Sequence, residues 1–73
     1  MARARIFFTD LASAADGLVA VLQYARDNKE VDYRFGPLTA QGVLENGLWL
    51  DGQIDDLAAT LEQDSGAVRY DDQ

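Results

Sequence analysis

Cysteine and histidine are both absent from the 73 residues. Without a thiol there is no disulfide framework, no thiolate metal site and no cysteine nucleophile. Without an imidazole, the usual zinc and copper ligands and the commonest general base are missing too. Enzymatic chemistry is therefore not expected, and neither is a metal or other cofactor. Long hydrophobic runs are also lacking. The longest near the start, Ile6 to Phe8, is far too short for a signal-peptide core or a membrane span, so a cytoplasmic protein is expected. Proline occurs once, at Pro37, and lysine once, at Lys29.

What is present is enough to fold. Hydrophobic residues make up 48% and charged residues 26%, which is not the composition of a disordered acidic tail. The length fits one domain over residues 1–73, close to the lower limit for a self-sufficient core. Net charge is −7, and it is unevenly distributed. Up to Arg34, Asp10, Asp16, Asp27, Glu30 and Asp32 are balanced by Arg3, Arg5, Arg26, Lys29 and Arg34. From residue 35 onward, Glu45, Asp51, Asp55, Asp56, Glu62, Asp64, Asp71 and Asp72 face Arg69 alone. That sign disfavours direct contact with nucleic acid or an anionic membrane and favours a basic protein surface.

The pattern centres on Asp51 to Asp64, which reads as an amphipathic helix. Ile54, Leu57, Ala58 and Leu61 recur at i, i+3, i+4 and i+7, and the other face carries Asp55, Asp56, Glu62 and Asp64. Asp51 or Gly52 supplies its cap. Glu62 and Asp64 stand in the last turn, where the helix dipole disfavours negative charge, so helix stability alone does not select them.

Upstream, Arg5 to Thr9 reads as a strand with Ile6 and Phe8 on one face and Arg5, Phe7 and Thr9 on the other. A helix capped by Thr9 or Asp10, or from Ser13, carries the stripe Leu11, Ala15, Leu18, Leu22 and Ala25, widened by Ala14 and Val21. Gly17 interrupts it and suggests close packing on a sheet. The helix is expected to stop near Asn28, which tolerates a left-handed cap. Val31, Tyr33 and Phe35 alternate with Asp32 and Arg34 as a strand, ended by Gly36 and Pro37. Asn46-Gly47 between two apolar runs is a hairpin signal, which makes residues 43 to 45 a strand. Thr39 as an N-cap with Gly47 beyond the end frames a short helix instead; the strand is the favoured reading. Leu48 to Leu50 is apolar throughout and belongs near the sheet centre. Ser65 and Gly66 stop the acidic helix, Ala67 to Tyr70 forms a last strand, and Asp71 to Gln73 is expected to fray.

The order β-α-β-β-α-β, with room for an extra hairpin or helical turn in the middle, predicts a ferredoxin-like α+β sandwich, with two helices on one face of a small antiparallel sheet. Leu18, Leu22, Ile54, Leu57 and Leu61 are the expected core between helices and sheet. The other sheet face would be open and carry Phe7, Arg34 and Trp49.

Other readings of these residues are weaker. Asp51, Asp55 and Asp56 lack the alternate oxygen ligands, internal glycine and terminal glutamate of a calcium loop. Asp55 and Glu62 would need a pocket that splits their pKa values to act as an acid/base pair. Tyr24, Tyr33, Phe35, Trp49 and Tyr70 lack the signature of sheet modules that stack single-stranded RNA, and the charge is of the wrong sign. The acids also have a plain reading as a solvated surface that keeps a small protein dispersed.

As a profile over the whole chain, the small size, the missing Cys and His, and the acids Glu45, Asp51, Asp55, Asp56, Glu62, Asp64, Asp71 and Asp72 resemble the phage-encoded anti-CRISPR proteins. They look most like the small acidic DNA mimics that inhibit type I Cascade complexes, type I-C among them. The resemblance implies a monomeric inhibitor in the bacterial host cytoplasm that occupies a basic DNA-binding or PAM-reading surface through those acids. A small acidic adaptor or antitoxin-like protein is the alternative. It would act, and dimerise, through the apolar sheet face at Phe7 and Trp49.

Overall fold

Ala4 and Ile6 are fully buried in the first strand, β1 (Ala2–Phe7), while Arg3, Arg5 and Phe7 lie on its opposite face. This is the period of two that lets one strand carry a core face and an open face. The computed structural model describes residues 2–34, 37 and 39–71. After β1 come α1 (Leu11–Asp27), β2 (Val31–Arg34), α2 (Ala40–Asn46), β3 (Leu48–Gly52), α3 (Asp55–Ser65) and β4 (Val68–Asp71). The sheet order is β2-β3-β1-β4, with every neighbouring pair antiparallel. This is a ferredoxin-like α+β arrangement with one additional short helix.

The core lies between the sheet and the helices: Ile6, Leu48 and Leu50 meet Val21, Ile54, Leu57 and Leu61, all of them almost fully buried. The stripe expected on α3 is therefore in place, and β3 occupies the central position foreseen for it. Gly66 ends α3 in the left-handed conformation (φ 63°), as its position after Ser65 implied.

On α1 the buried face differs from the leucine stripe. Ala14, Gly17 and Val21 are buried, Leu18 is half-buried, and Leu11 and Leu22 are exposed by 49% and 37%. The cause is Gly17: a Cβ built there would stand 2.3 Å from the Phe8 ring. The helix rests on that ring through bare backbone, which turns the leucines to its side. Asn28 does follow α1, but with φ −128° rather than left-handed. Its side-chain amide and backbone N–H both donate to the Tyr24 carbonyl, at 2.9 and 3.0 Å.

The hairpin at Asn46-Gly47 does not form; residues 40 to 46 are helical. A two-residue primed turn needs positive φ at its first position, whereas among the described residues only Gly47, Gly52 and Gly66 have positive φ. Thr39 instead caps α2, its hydroxyl accepting from the Gly42 N–H at 3.0 Å, and Val43 is fully buried.

The acidic helix begins four residues later than expected. Asp51 and Gly52 complete β3, and Ile54 stands at the N-cap without a side-chain hydrogen bond. The ladder extends this far because Ala2 pairs with Gly52 and Arg3 with Asp51, so β1 also starts earlier than Arg5 and ends at Phe7, not Thr9. At the other end, Asp71 is the last residue of β4 rather than part of a frayed tail. Val31 is buried and Tyr33 exposed on β2. The expectations for Phe35, Gly36, Asp72 and Gln73 fall outside the described residues.

Two outcomes test this packing. Leu61→Ala is expected to lose about 2 to 5 kcal/mol in urea denaturation, the usual range for a buried leucine, and Leu22→Ala below about 1 kcal/mol. Equal losses would return the leucine stripe to the core. Separately, the Asp10 carboxylate caps α1 by accepting from the Ser13 N–H at 2.7 Å, which holds its pKa below the ordinary 3.8. A carboxyl with a lowered folded pKa stabilises above its unfolded value and loses that contribution as pH falls through the folded value. Asp10→Ala should therefore lower the melting temperature at pH 7 by a margin that shrinks steadily below pH 3.8.

Candidate functional site

Residues directly opposite one another in a ladder share a face, so the register sorts the charges. Arg3, Arg5 and Arg34 share the open sheet face with Asp32 and Asp51, three bases against two acids, or +1. The other described residues place Arg26, Lys29 and Arg69 against ten acids on the helix layer and its loops, a net of −7. Sequence position hid this division, because the charge-balanced first half contributes a net of +2 to the sheet face and −2 to the helix side.

The structure does not gather all eight candidate acids. Asp51 lies on the sheet face, where Arg3 Nε donates to Oδ1 at 2.6 Å and the Arg34 guanidinium stands 3.9 Å from Oδ2. Asp55 and Asp71 both accept from Arg69, at 2.9 and 2.6 Å. The Asp71 bond and then the Asp55 bond raise the Arg69 pKa. Since the Asp55 side chain is 82% exposed, that pair adds at most about 1 kcal/mol. Glu45 is exposed on α2, which packs against α1, and accepts from Gln41 at 2.6 Å. Asp72 lies outside the described residues.

Asp56, Glu62 and Asp64 remain: all three are exposed and make no ion pair among the described residues. Asp56, Thr60 and Asp64 follow at i, i+4 and i+8 along one flank of α3, and Asp55 and Glu62 share another.

The topology brings further acids to that first flank. β1 and β3 run antiparallel, each is followed by a helix that runs back along the sheet, and so the C-terminus of α1 lies beside the N-terminus of α3. A cleft of about 530 Å³ opens between them, lined by Tyr24, Asn28, Glu30, Gln53, Asp55 and Asp56. A shallower groove continues from it past Gln23, Asp27, Leu57 and Thr60. At the cleft the Gln53 N–H donates to the Glu30 carbonyl at 3.1 Å, and Gly52 allows this close approach, since a Cβ there would collide with that same oxygen. Glu30 and Asp27 were not singled out in the sequence. The signal for them was the antiparallel pairing of the two helices implied by the fold.

The open face has a different character. Tyr70, Arg5, Trp49 and Arg34 form one row across the four strands, with Phe7 and Val68 beside it. Arg5 stacks over Phe7 and Trp49 at 4.8 and 5.4 Å from the ring centroids, and the Phe7 and Tyr70 rings meet edge-on at 5.6 Å. Trp49 is half-buried.

No family model matches the chain, and no curated protein or solved structure shows significant similarity to it. No helix among the described residues is long and apolar enough to cross a membrane.

Among the described residues no cluster of acids has the arrangement of a metal site. Melting curves with and without EDTA should therefore coincide. A drop of several degrees in chelator would overturn that expectation.

Proposed function

We propose that the chain is a non-enzymatic inhibitor that lays its acidic helix layer on a basic, DNA-reading protein surface, in the manner of the anti-CRISPR proteins its profile resembles. A type I Cascade complex is the target of choice. The observation that carries this reading is the separation of charge, −7 on the helix side against +1 on the open sheet face. Such a field orients the protein as it approaches a basic partner and raises the rate of encounter.

The acids stand in for phosphate. Neighbouring turns of α3 space carboxylates by about 5 to 6 Å, a sparse counterpart of the duplex, which carries a charge per about 1.7 Å of axis. The α1–α3 cleft adds a receptor for one cationic side chain. Asp55, Asp56 and Glu30 face its head group, and the Tyr24 ring meets its stem. Burying such a pair helps only where desolvation is matched by good geometry, so the association rate is the more dependable readout. The same negative layer repels nucleic acid, so the chain competes with DNA and does not bind it.

The test is DNA binding by a purified type I Cascade complex, with the wild-type protein or with Asp56→Lys, Glu62→Lys and Asp64→Lys combined. The three reversals move net charge from −7 to −1 and lie off the buried stripe, so the fold should persist. The wild type is expected to block DNA binding, less so as salt rises, and the triple variant to lose at least tenfold in potency, chiefly through slower association. If the wild type leaves DNA binding intact, or the variant inhibits equally well, phosphate mimicry is wrong.

A further inference from the structure

We infer that Asn46-Gly47 is a modification site, at which the Asn46 side chain loses ammonia, and that Arg5 sets the pace by holding the peptide unit that must attack. This goes beyond the inhibitory reading and does not rest on it. The pair met the sequence rule for a hairpin, and the structure makes it the junction of α2 and β3 instead. Asn46 is the last residue of α2 and is exposed to water. Gly47 follows at φ 80° and has no side chain to screen its nitrogen. In the reaction that nitrogen bonds to the side-chain carbonyl carbon of Asn46. The bond from that carbon to the amide nitrogen breaks, and ammonia departs with the proton of the Gly47 N–H. Water then opens the cyclic imide to aspartate or isoaspartate. The other asparagine of the chain, Asn28, precedes Lys29, whose side chain hinders the same attack.

Both polar groups of the peptide unit between residues 46 and 47 are engaged. The Gly47 N–H donates to the Val43 carbonyl at 2.8 Å, and Arg5 Nε and Nη2 donate to the Asn46 carbonyl at 3.0 and 2.5 Å. Arg5 is itself held, since it lies opposite Trp49 in the β1–β3 ladder and stacks on the Phe7 and Trp49 rings. The unit also lies close against β1: a Cβ at Gly47 would stand 3.1 Å from the Ile6 carbonyl oxygen. A helical ψ at Asn46 keeps the Gly47 nitrogen from the side-chain carbon. The rotation that brings them together swings this peptide unit and breaks its bonds to Arg5 and Val43. Donors on a carbonyl also make the adjoining N–H more acidic, which favours attack, but the rotation removes those donors before the nitrogen reaches its target. Isoaspartate would lengthen the main chain just before Leu48, a fully buried residue paired with Ile6, so the lock preserves the register of the central strands.

The test is incubation of the full chain in mildly alkaline buffer, followed by mass spectrometry of the peptide that carries residue 46. The folded wild type is expected to convert slowly and the same chain in urea quickly, with Asn28 unchanged. Arg5→Ala should speed conversion of the folded protein by roughly threefold to tenfold, the scale of a lost hydrogen bond, and Arg5→Lys should recover part of the protection. Hydrogen exchange separates the lock from a general loosening. In Arg5→Ala the Gly47 amide should exchange faster while the amides of β3 keep their protection. Should Arg5→Ala fail to fold, Arg5→Lys carries the comparison and should still convert faster than the wild type, because a single ammonium does not reproduce the two-pronged grip of the guanidinium. A folded wild type that converts as fast as the chain in urea, a folded Arg5 variant no faster than the wild type, or exchange that quickens at Gly47 and throughout β3 alike would each overturn the inference.

Discussion

The Phe8 ring lies against the bare backbone of Gly17, in space that any side chain would contest. Phe8 has already left the β1 ladder, yet it is only 7% exposed, because α1 settles directly upon it. Glycine in a helix interior costs about 1 kcal/mol relative to alanine; here the cost is offset by the close approach it permits. That contact sets the rotation of α1 about its axis. Ala14 and Val21 turn inward with Gly17, Leu11 and Leu22 turn to the side, and Tyr24 and Asn28 come to face the start of α3.

From that rotation and the antiparallel course of the two helices follows the cleft. The loop after α1 is tied to the turn before α3 through the Glu30 carbonyl, so Glu30, Asp55 and Asp56 hold a fixed relation although they come from opposite halves of the chain. The single-layered sheet accounts for the rest of the charge distribution. Helices cover one face only, and alternation along β1, β2 and β3 sends Arg3, Arg5 and Arg34 to the other. A chain balanced in its first half and acidic in its second thereby becomes a molecule divided by face.

What could be read in the sequence was what local rules decide. The α3 stripe, the stop at Gly66 and the central position of β3 all follow from periodicity and single-residue preferences, which also narrowed the cap of α1 to Thr9, Asp10 or Ser13, and together they suffice for the ferredoxin-like order. The misreadings share a cause in tertiary contact. Leucine periodicity on α1 gave way to one steric contact at Gly17. Asn46-Gly47 met the sequence rule for a hairpin, but a capping hydroxyl at Thr39 and the burial of Val43 favoured a helix. Asp51 looked like a cap, yet its strand continues because Arg3 and Ala2 extend the ladder beside it. At the candidate site, the α3 acids were visible as a run, whereas the inclusion of Glu30 and the exclusion of Asp51 depend on pairing between distant segments.

The pairing state of each acid also ranks its value to a partner. Asp51, Asp55 and Asp71 already accept bonds from Arg3 or Arg69. An external cation must displace or share those guanidinium groups, and gains correspondingly less. Asp56, Glu62 and Asp64 have no such internal competitor among the described residues, and the dipole of α3 disfavours Glu62 and Asp64 where they stand. A cation placed against the last turn would relieve that disfavour as well as form its own pair. The strongest response to a basic surface therefore belongs to the C-terminal half of α3, with Asp56 linking it to the cleft.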